Sequence, residues 1–280
     1  RAVMVTGHVG YSDVSLLPRD WNQVWLCISS AALQDSRWLR ELAVHLPHAV
    51  FVSFLPGLRD RELIHAQLCG QKLLTGLITF IAWQAPLPAE QVEKGEGIRY
   101  WLPPLTPALF EEGLEESAAL LKRGGMWART RRSLAGQMAL GSSLLLCTIA
   151  ALELSNWSFR DFRASPDTVL AAKAAREAMA IASAHHNTSP GMFPWMARSF
   201  WLRSGIFLST YIVPFDIEAY LRFHFQKVGK QTELALSTWM MEAKNKGLSY
   251  REIEKLHRRL IVMRRDTDVH PTTLPDKDVW

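Results

Sequence analysis

The feature that most limits the fold is an alternation near the beginning of the chain. Gln23 to Ser29 (QVWLCIS) is an apolar run long enough for one strand, bounded by Pro18 and a polar turn. Leu39, Leu42, Ala43 and Leu46 then recur at helical spacing. Ala49 to Leu55 (AVFVSFL) is a second apolar run, closed by Pro56-Gly57. Asp60 to Leu68 looks helical again, and Lys72 to Trp83 holds a third strand, LLTGLITFIAW. Strand, helix, strand, helix, strand at this spacing predicts a parallel sheet with crossover helices, because parallel neighbours need a long connection. Ligands of such sheets sit beyond the carboxyl ends of the strands. Ser29, Ser30 and Leu55-Pro56-Gly57 are therefore expected at the edge of a site.

Residues 84–106 are rich in proline, glycine and charge, and are expected to close the first domain, in part as an edge hairpin. After Thr106 the texture changes and no further strand is expected. Pro107 to Lys122 is amphipathic. Leu134 to Leu152 carries no charge over 19 residues. That is close to a membrane-spanning length, but a central helix buried on all sides explains it with fewer assumptions. Ser165-Pro166-Asp167 starts a helix that runs to about His185, with serine as cap and proline in the first turn. Phe215 to Phe225, Gln231 to Ala243 and Ser249 to Met263 complete an all-helical second half. Gly247 is placed to stop one helix, and Ser249 with Glu252 to cap the next. The expected organisation is a first domain over 1–105, a helical domain over 106–265 and a loose tail over 266–280.

A chain of 280 residues with 48% hydrophobic and 21% charged residues can build two cores and is not disordered. Its net charge of +5 is spread along the sequence, a weak field rather than a nucleic-acid footprint. The densest basic group, Lys122, Arg123, Arg129, Arg131 and Arg132, reads as a solvated helix end or an anion site. Cys27, Cys69 and Cys147 lie far apart, have no metal-ligand spacing, and read as buried free thiols of a reducing, cytoplasmic compartment. No metal site is expected. The G-x-G-x-x-G fingerprint, the P-loop, H-E-x-x-H and C-x-x-C are absent. Gly7-His8-Val9-Gly10 does not substitute for the fingerprint. Because Arg1 to Val5 already reads as part of a fold, the start of the first domain is expected to lie outside this sequence. His185-His186 reads as a polar helix end. Trp195, Phe200, Trp201, Phe207 and Tyr211 read as core aromatics.

The order QVWLCISS, SRWLRELAVHLP, AVFVSFLPGL, RELIHAQL, LLTGLITF is similar to the second half of the cofactor domain of ketopantoate reductases. Leu55-Pro56-Gly57-Leu58 and Thr75-Gly76 stand where that family has an Asn-Gly pair and a glycine-containing strand. Pro214-Phe215-Asp216-Ile217-Glu218-Ala219-Tyr220 resembles its Thr-Glu-Ile-Asp-Tyr helix start. The resemblance implies an α/β Rossmann-like domain with an incomplete parallel sheet. An all-α domain of the 6-phosphogluconate dehydrogenase C-terminal type would follow it. It also implies an NADP-dependent (or NAD-dependent) oxidoreductase acting on a small 2-oxo acid, without nucleic acid or membrane partners, and a homodimer for which exposed aromatics would be suited.

Such chemistry needs hydride delivery to one face of the carbonyl and a group that protonates the developing alkoxide. In the family a helix lysine does this, a glutamate holds the substrate hydroxyl, and asparagine and serine position the acid. Carried over by position, the lysine falls at Gln137, the glutamate at Asp216 with Glu218 beside it, the serine at Ser204, and the asparagine at Pro56. The strand-end lysine falls at Ser29, with Ser30 and Gly57 completing the cofactor edge. No lysine lies between Arg123 and Lys173. The carried-over site is thus Gln137, Asp216 and Glu218 for catalysis, Ser204 and Pro56 for substrate, and Ser29, Ser30 and Gly57 for cofactor. Each has a structural reading as well: Asp216 and Glu218 as first-turn acids, Ser204 as a helix-interior serine, Gln137 as part of a buried hydrogen-bond network, and Ser29-Ser30 as a helix cap. The alternative to an active enzyme is an inactive relative that binds a ligand or partner.

Overall fold

A computed structural model describes residues 8–87 and 97–269, with side chains to Asp266. The three apolar runs form β1 (Gln23–Leu26), β2 (Val50–Ser53) and β3 (Leu73–Leu77), with α1 (Arg37–His45) and α2 (Asp60–His65) between them. β1, β2 and β3 are parallel neighbours, with Gln23 opposite Val50 and Phe51 opposite Leu73. The expected parallel sheet with crossover helices is therefore present.

The third run does not stay in one strand. Its second part is β4 (Ile81–Gln84), which leaves the sheet and pairs antiparallel with β5 (Ile98–Trp101) as a separate ribbon. Trp83 stacks on Phe215 at 4.3 Å, and Trp101 meets the same ring at 6.0 Å. This ribbon is glued to the helical half by aromatic contact rather than to the sheet edge.

Beyond Thr106 the expectation of no further strand is corrected. β6 (Ala108–Glu111) runs antiparallel to β3, and β7 (Ala128–Arg131) is parallel to β6, with α3 (Glu115–Arg123) between them. The sheet order is β1-β2-β3-β6-β7. These strands have four residues each, too short for periodicity to separate them from an amphipathic helix. The sheet thus continues to Arg131, past the boundary expected at 105.

One face of the sheet packs Phe51, Leu26 and Leu73 against Leu39 and Ala43 of α1. The other packs Val52, Leu74 and Phe110 against Ala118 of α3. Gly76 makes room on this second face. A Cβ there would lie 2.3 Å from Cε1 of Phe54, whose ring stands edge-on to Phe110. Gly76→Ala is expected to cost about 1–3 kcal/mol through overpacking, read as a lower urea midpoint.

The helical half is α4 (Ala135–Leu154), α5 (Phe159–Ala164), α6 (Asp167–His186), α7 (Phe193–Met196), α8 (Ser199–Ile212), α9 (Ile217–Lys227), α10 (Gly229–Lys246) and α11 (Arg251–Val269). α4 is long and apolar enough to cross a membrane, yet 67% of its most apolar 18-residue stretch is buried inside the molecule. It lies along α6, and both contribute small buried residues, among them Ala139, Ala150, Ala151, Ala171, Ala174, Ala175 and Ala178, which let the two helices approach closely.

Gly247 ends α10 in the left-handed region, as expected. The cap of α11 is different from the expected box. The Ser249 hydroxyl donates to Glu177 of α6, and the amides of Glu252 and Ile253 donate to the same carboxylate. α11 continues to Val269, beyond the expected start of the tail. The rest of that tail and Arg1 to Val5 lie outside the described residues. Of the cysteines only Cys147 is buried, and Cys27 and Cys69 are exposed.

Candidate functional site

The carboxyl ends of β1 and β2 carry the residues the strand pattern points to. Ser30 opens a short 3-10 turn (Ser30–Gln34) after β1. Pro56 and Gly57 form the bend after β2, and Asp60 begins α2. The Ser30 hydroxyl donates to Oδ2 of Asp60 at 2.6 Å, and the Gly57 amide donates to the same oxygen at 2.8 Å. A Cβ on Gly57 would lie 2.4 Å from that oxygen, so a side chain there would displace the Asp60 carboxylate. Ser30, Pro56, Gly57 and Asp60 line a cavity of about 40 Å³ closed from the helical half by Ser142 and Leu146 of α4 and Thr238 and Trp239 of α10.

Burial pushes the Asp60 carboxyl above the ordinary aspartate value, and the bonds from Ser30 and Gly57 only partly oppose this. A carboxyl with a raised folded value holds its proton more tightly folded than unfolded. Its contribution to stability is present at low pH and is lost as pH rises through the raised value. Asp60→Asn keeps the shape and removes the charge. Thermal melts should show the variant more stable than the parent at pH 7, with the gap closing toward pH 4.

Beside this cavity, and sharing Gln231 with it, is a larger one of about 470 Å³. Its walls include Ser29, Lys227, Gly229, Lys230 and Arg264. Arg264 is held by both oxygens of Glu153, at 2.7 and 2.8 Å. Lys227 and Lys230, on either side of the α9–α10 corner, bring positive charge to the end of β1. The site therefore places the Ser29 hydroxyl and two lysines at the seam between sheet and helices, a set suited to an anionic ligand.

Ser30, Pro56 and Gly57 line the smaller cavity, and Ser29 lines the larger one beside it. The positions carried over onto the helical half do not join them. Gln137 is exposed near the start of α4 rather than in a buried network, and it lines neither cavity. The Asp216 carboxylate caps α9 by accepting the Ala219 amide at 2.9 Å. Glu218 accepts the Phe159 amide at 2.7 Å, at the start of α5. Ser204 is half-buried on α8 and lines neither cavity. Arg129, Arg131 and Arg132 end up outside both linings, with Arg129 lying over Trp127 at 4.4 Å.

Two further expectations are corrected. Trp195, Phe200, Trp201, Phe207 and Tyr211 are not core: they are 39% to 74% exposed, because α7 buries none of its residues and α8 buries only Leu202. His185 is not a solvated helix end but is buried between two carboxylates. Sequence reasoning also missed Asp60, Lys227 and Lys230. Asp60 had a signal, an acid at a helix start three residues after a strand-end glycine. The lysines had none, since only the fold brings α9 to β1.

No family sequence model matches the chain, and no curated protein matches it. Among solved structures it is similar to a PanE/ApbA-family ketopantoate reductase from Ralstonia eutropha, at 13% identity and TM-score 0.65, over 88% of this chain and 77% of that one. A 2-dehydropantoate 2-reductase from Methylococcus capsulatus gives 13% identity and TM-score 0.64, over 93% and 79%. D-mandelate dehydrogenase in complex with NADH gives 10% identity and TM-score 0.61, over 88% and 80%. The fold is that of the ketopantoate reductases: a mostly parallel Rossmann-like sheet with its helices, followed by a helical half.

Proposed function

We propose that the protein is a nicotinamide-dependent reductase of a small 2-oxo acid whose polar groups have been rearranged relative to the ketopantoate reductase pattern. The observation that carries this reading is the pair of adjoining cavities at the carboxyl ends of β1 and β2, in a fold whose solved examples include one bound to NADH. Ser29, Ser30 and Gly57 are the cofactor edge, with Pro56 on the substrate side. The reduced cofactor, NADPH or NADH, would supply the hydride when bound.

Lys227 and Lys230 provide the positive charge that holds a carboxylate or phosphate and stabilises the developing alkoxide. Gln137 and Ser204 remain substrate-side positions that domain closure would have to bring inward. Asp216 and Glu218 serve by fixing the starts of α9 and α5.

A homodimer is part of the proposal. Thr188 to Phe215 contains no aspartate, glutamate or lysine, and its exposed aromatics and methionines have the composition of an interface centre.

The second reading, an inactive ligand-binding or interaction module, is favoured by one observation: the acids at the carried-over catalytic positions are spent as helix caps. Titration of the protein with NADPH and NADH, followed by a 2-oxo acid screen, separates the two. Micromolar binding with turnover supports the reductase. Binding without turnover supports the module, and a folded protein that binds neither cofactor rules out the reductase.

A further inference from the structure

His185 sits at the end of α6 with a carboxylate on each ring nitrogen. Nδ1 is 2.8 Å from Oε1 of Glu242 on α10, and Nε2 is 3.1 Å from Oε1 of Glu62 on α2. α2 belongs to the sheet half and α10 to the helical half. These two helices also supply opposite walls of the smaller cavity. One ring therefore ties the two halves together beside the seam. We propose that His185 is a proton-dependent clasp between the sheet and the helical half, closed when the ring is doubly protonated and loosened when it is neutral.

The hydrogen-bond chemistry sets the direction. An imidazolium donates from both nitrogens, whereas a neutral imidazole has one N–H and presents a lone pair to the other carboxylate. Histidine is the side chain whose charge ordinarily changes between pH 5 and 8.

The two arms are unequal. Glu242 is nearly buried and also forms an ion pair with Lys246 at 3.5 Å, while Glu62 is half-exposed and is held by Arg59 at 2.9 Å. The hydrogen bond from His185 holds the Glu242 carboxyl below the usual glutamate value, so it stays an acceptor. When the ring loses a proton, the Glu62 arm is the one released.

The other charged groups around the ring do not remove the effect. On α2, Arg61 is engaged by Thr75, Glu111 and the Leu73 carbonyl. On α6, the His186 ring stands perpendicular at 4.7 Å, with its Nε2 buried and without a hydrogen-bond partner among the described residues. Burial and the neighbouring His185 push His186 down.

The clasp stands apart from the reductase reading, and its test uses no substrate. Spin labels at Val44→Cys on α1 and Arg258→Cys on α11, in protein with Cys27 and Cys69 replaced by serine, report the distance between the halves. From pH 5.5 to 8.5 the open-to-closed ratio should rise about twofold to fivefold, the scale of one half-exposed ion pair. His185→Gln, which never carries charge, should show one ratio at both pH values. Glu62→Gln should also lose the response, and it decides the matter should His185→Gln not fold. A parent whose distances do not change with pH, or a response that persists in either variant, would overturn the clasp.

Discussion

Trp239→Ala is expected to lower stability by about 3–5 kcal/mol, a fall in melting temperature on the order of 10 °C. Trp239 lies on α10, is 1% exposed, and belongs to the large core shared by α4, α6 and α11. Removing the indole loses its contacts and leaves a hole that rigid helices fill only in part. Its other edge lines the small cavity at the seam, so the truncation also enlarges a polar space beside Ser30 and Asp60. Tyr211→Ala is the control. Tyr211 is another large aromatic of the helical half, but it is 74% exposed and touches chiefly the Phe207 ring. At concentrations low enough for the protein to be monomeric, its loss should cost about 1 kcal/mol or less. Urea titrations with unchanged slopes would check both. Equal costs would mean that the exposed face of α8 is already covered in solution, as the proposed dimer requires.

The contrast between these two aromatics marks how far the sequence is readable. Tryptophan, phenylalanine and tyrosine in the 195–211 segment looked like core because that is where such side chains usually go. Nothing local to α8 says that only Leu202 will find a neighbour to bury it. The first three strands were legible because they are apolar on both faces, as parallel strands must be. β6 and β7 were not. Each has four residues, and β6 enters the sheet antiparallel, so no crossover pattern announces it. The site shows the same division. Ser29, Ser30 and Gly57 follow from strand ends, a local property. Lys227, Lys230, His185 and Glu111 matter because elements far apart in sequence meet, and spacing carries no trace of that. The family resemblance located the fold correctly. Its residue-by-residue transfer placed Asp216 and Glu218 where the chain uses them as caps.

Glu111→Ala is the other substitution with a large expected effect, about 2–4 kcal/mol. Glu111 ends β6 and is 7% exposed. One carboxylate oxygen accepts the Thr75 amide at 2.8 Å and Arg61 at 3.2 Å, and the other accepts the Leu134 amide at 3.4 Å. Leu134 is the residue before α4, and as a leucine it offers no side-chain cap. Glu111 thus does at long range what a capping-box glutamate does locally, satisfying the amide at the cap position. Arg61 bonds in turn to Thr75 and to the Leu73 carbonyl, so a single carboxylate joins α2, β3, β6 and the entry to the helical half. Alanine orphans two buried amides and leaves Arg61 without its counterion. Breaking a buried pair costs about 3–5 kcal/mol. The expected value is lower because the Arg61 side chain is 42% exposed and water can take over part of its charge. Glu111→Gln keeps one acceptor and should recover about half of the loss. Urea midpoints of the two variants test the account. If glutamine proves no better than alanine, the ion pair with Arg61 carries the effect and the capping of α4 contributes little. If glutamine restores nearly all of it, the start of α4 is held by hydrogen bonding alone.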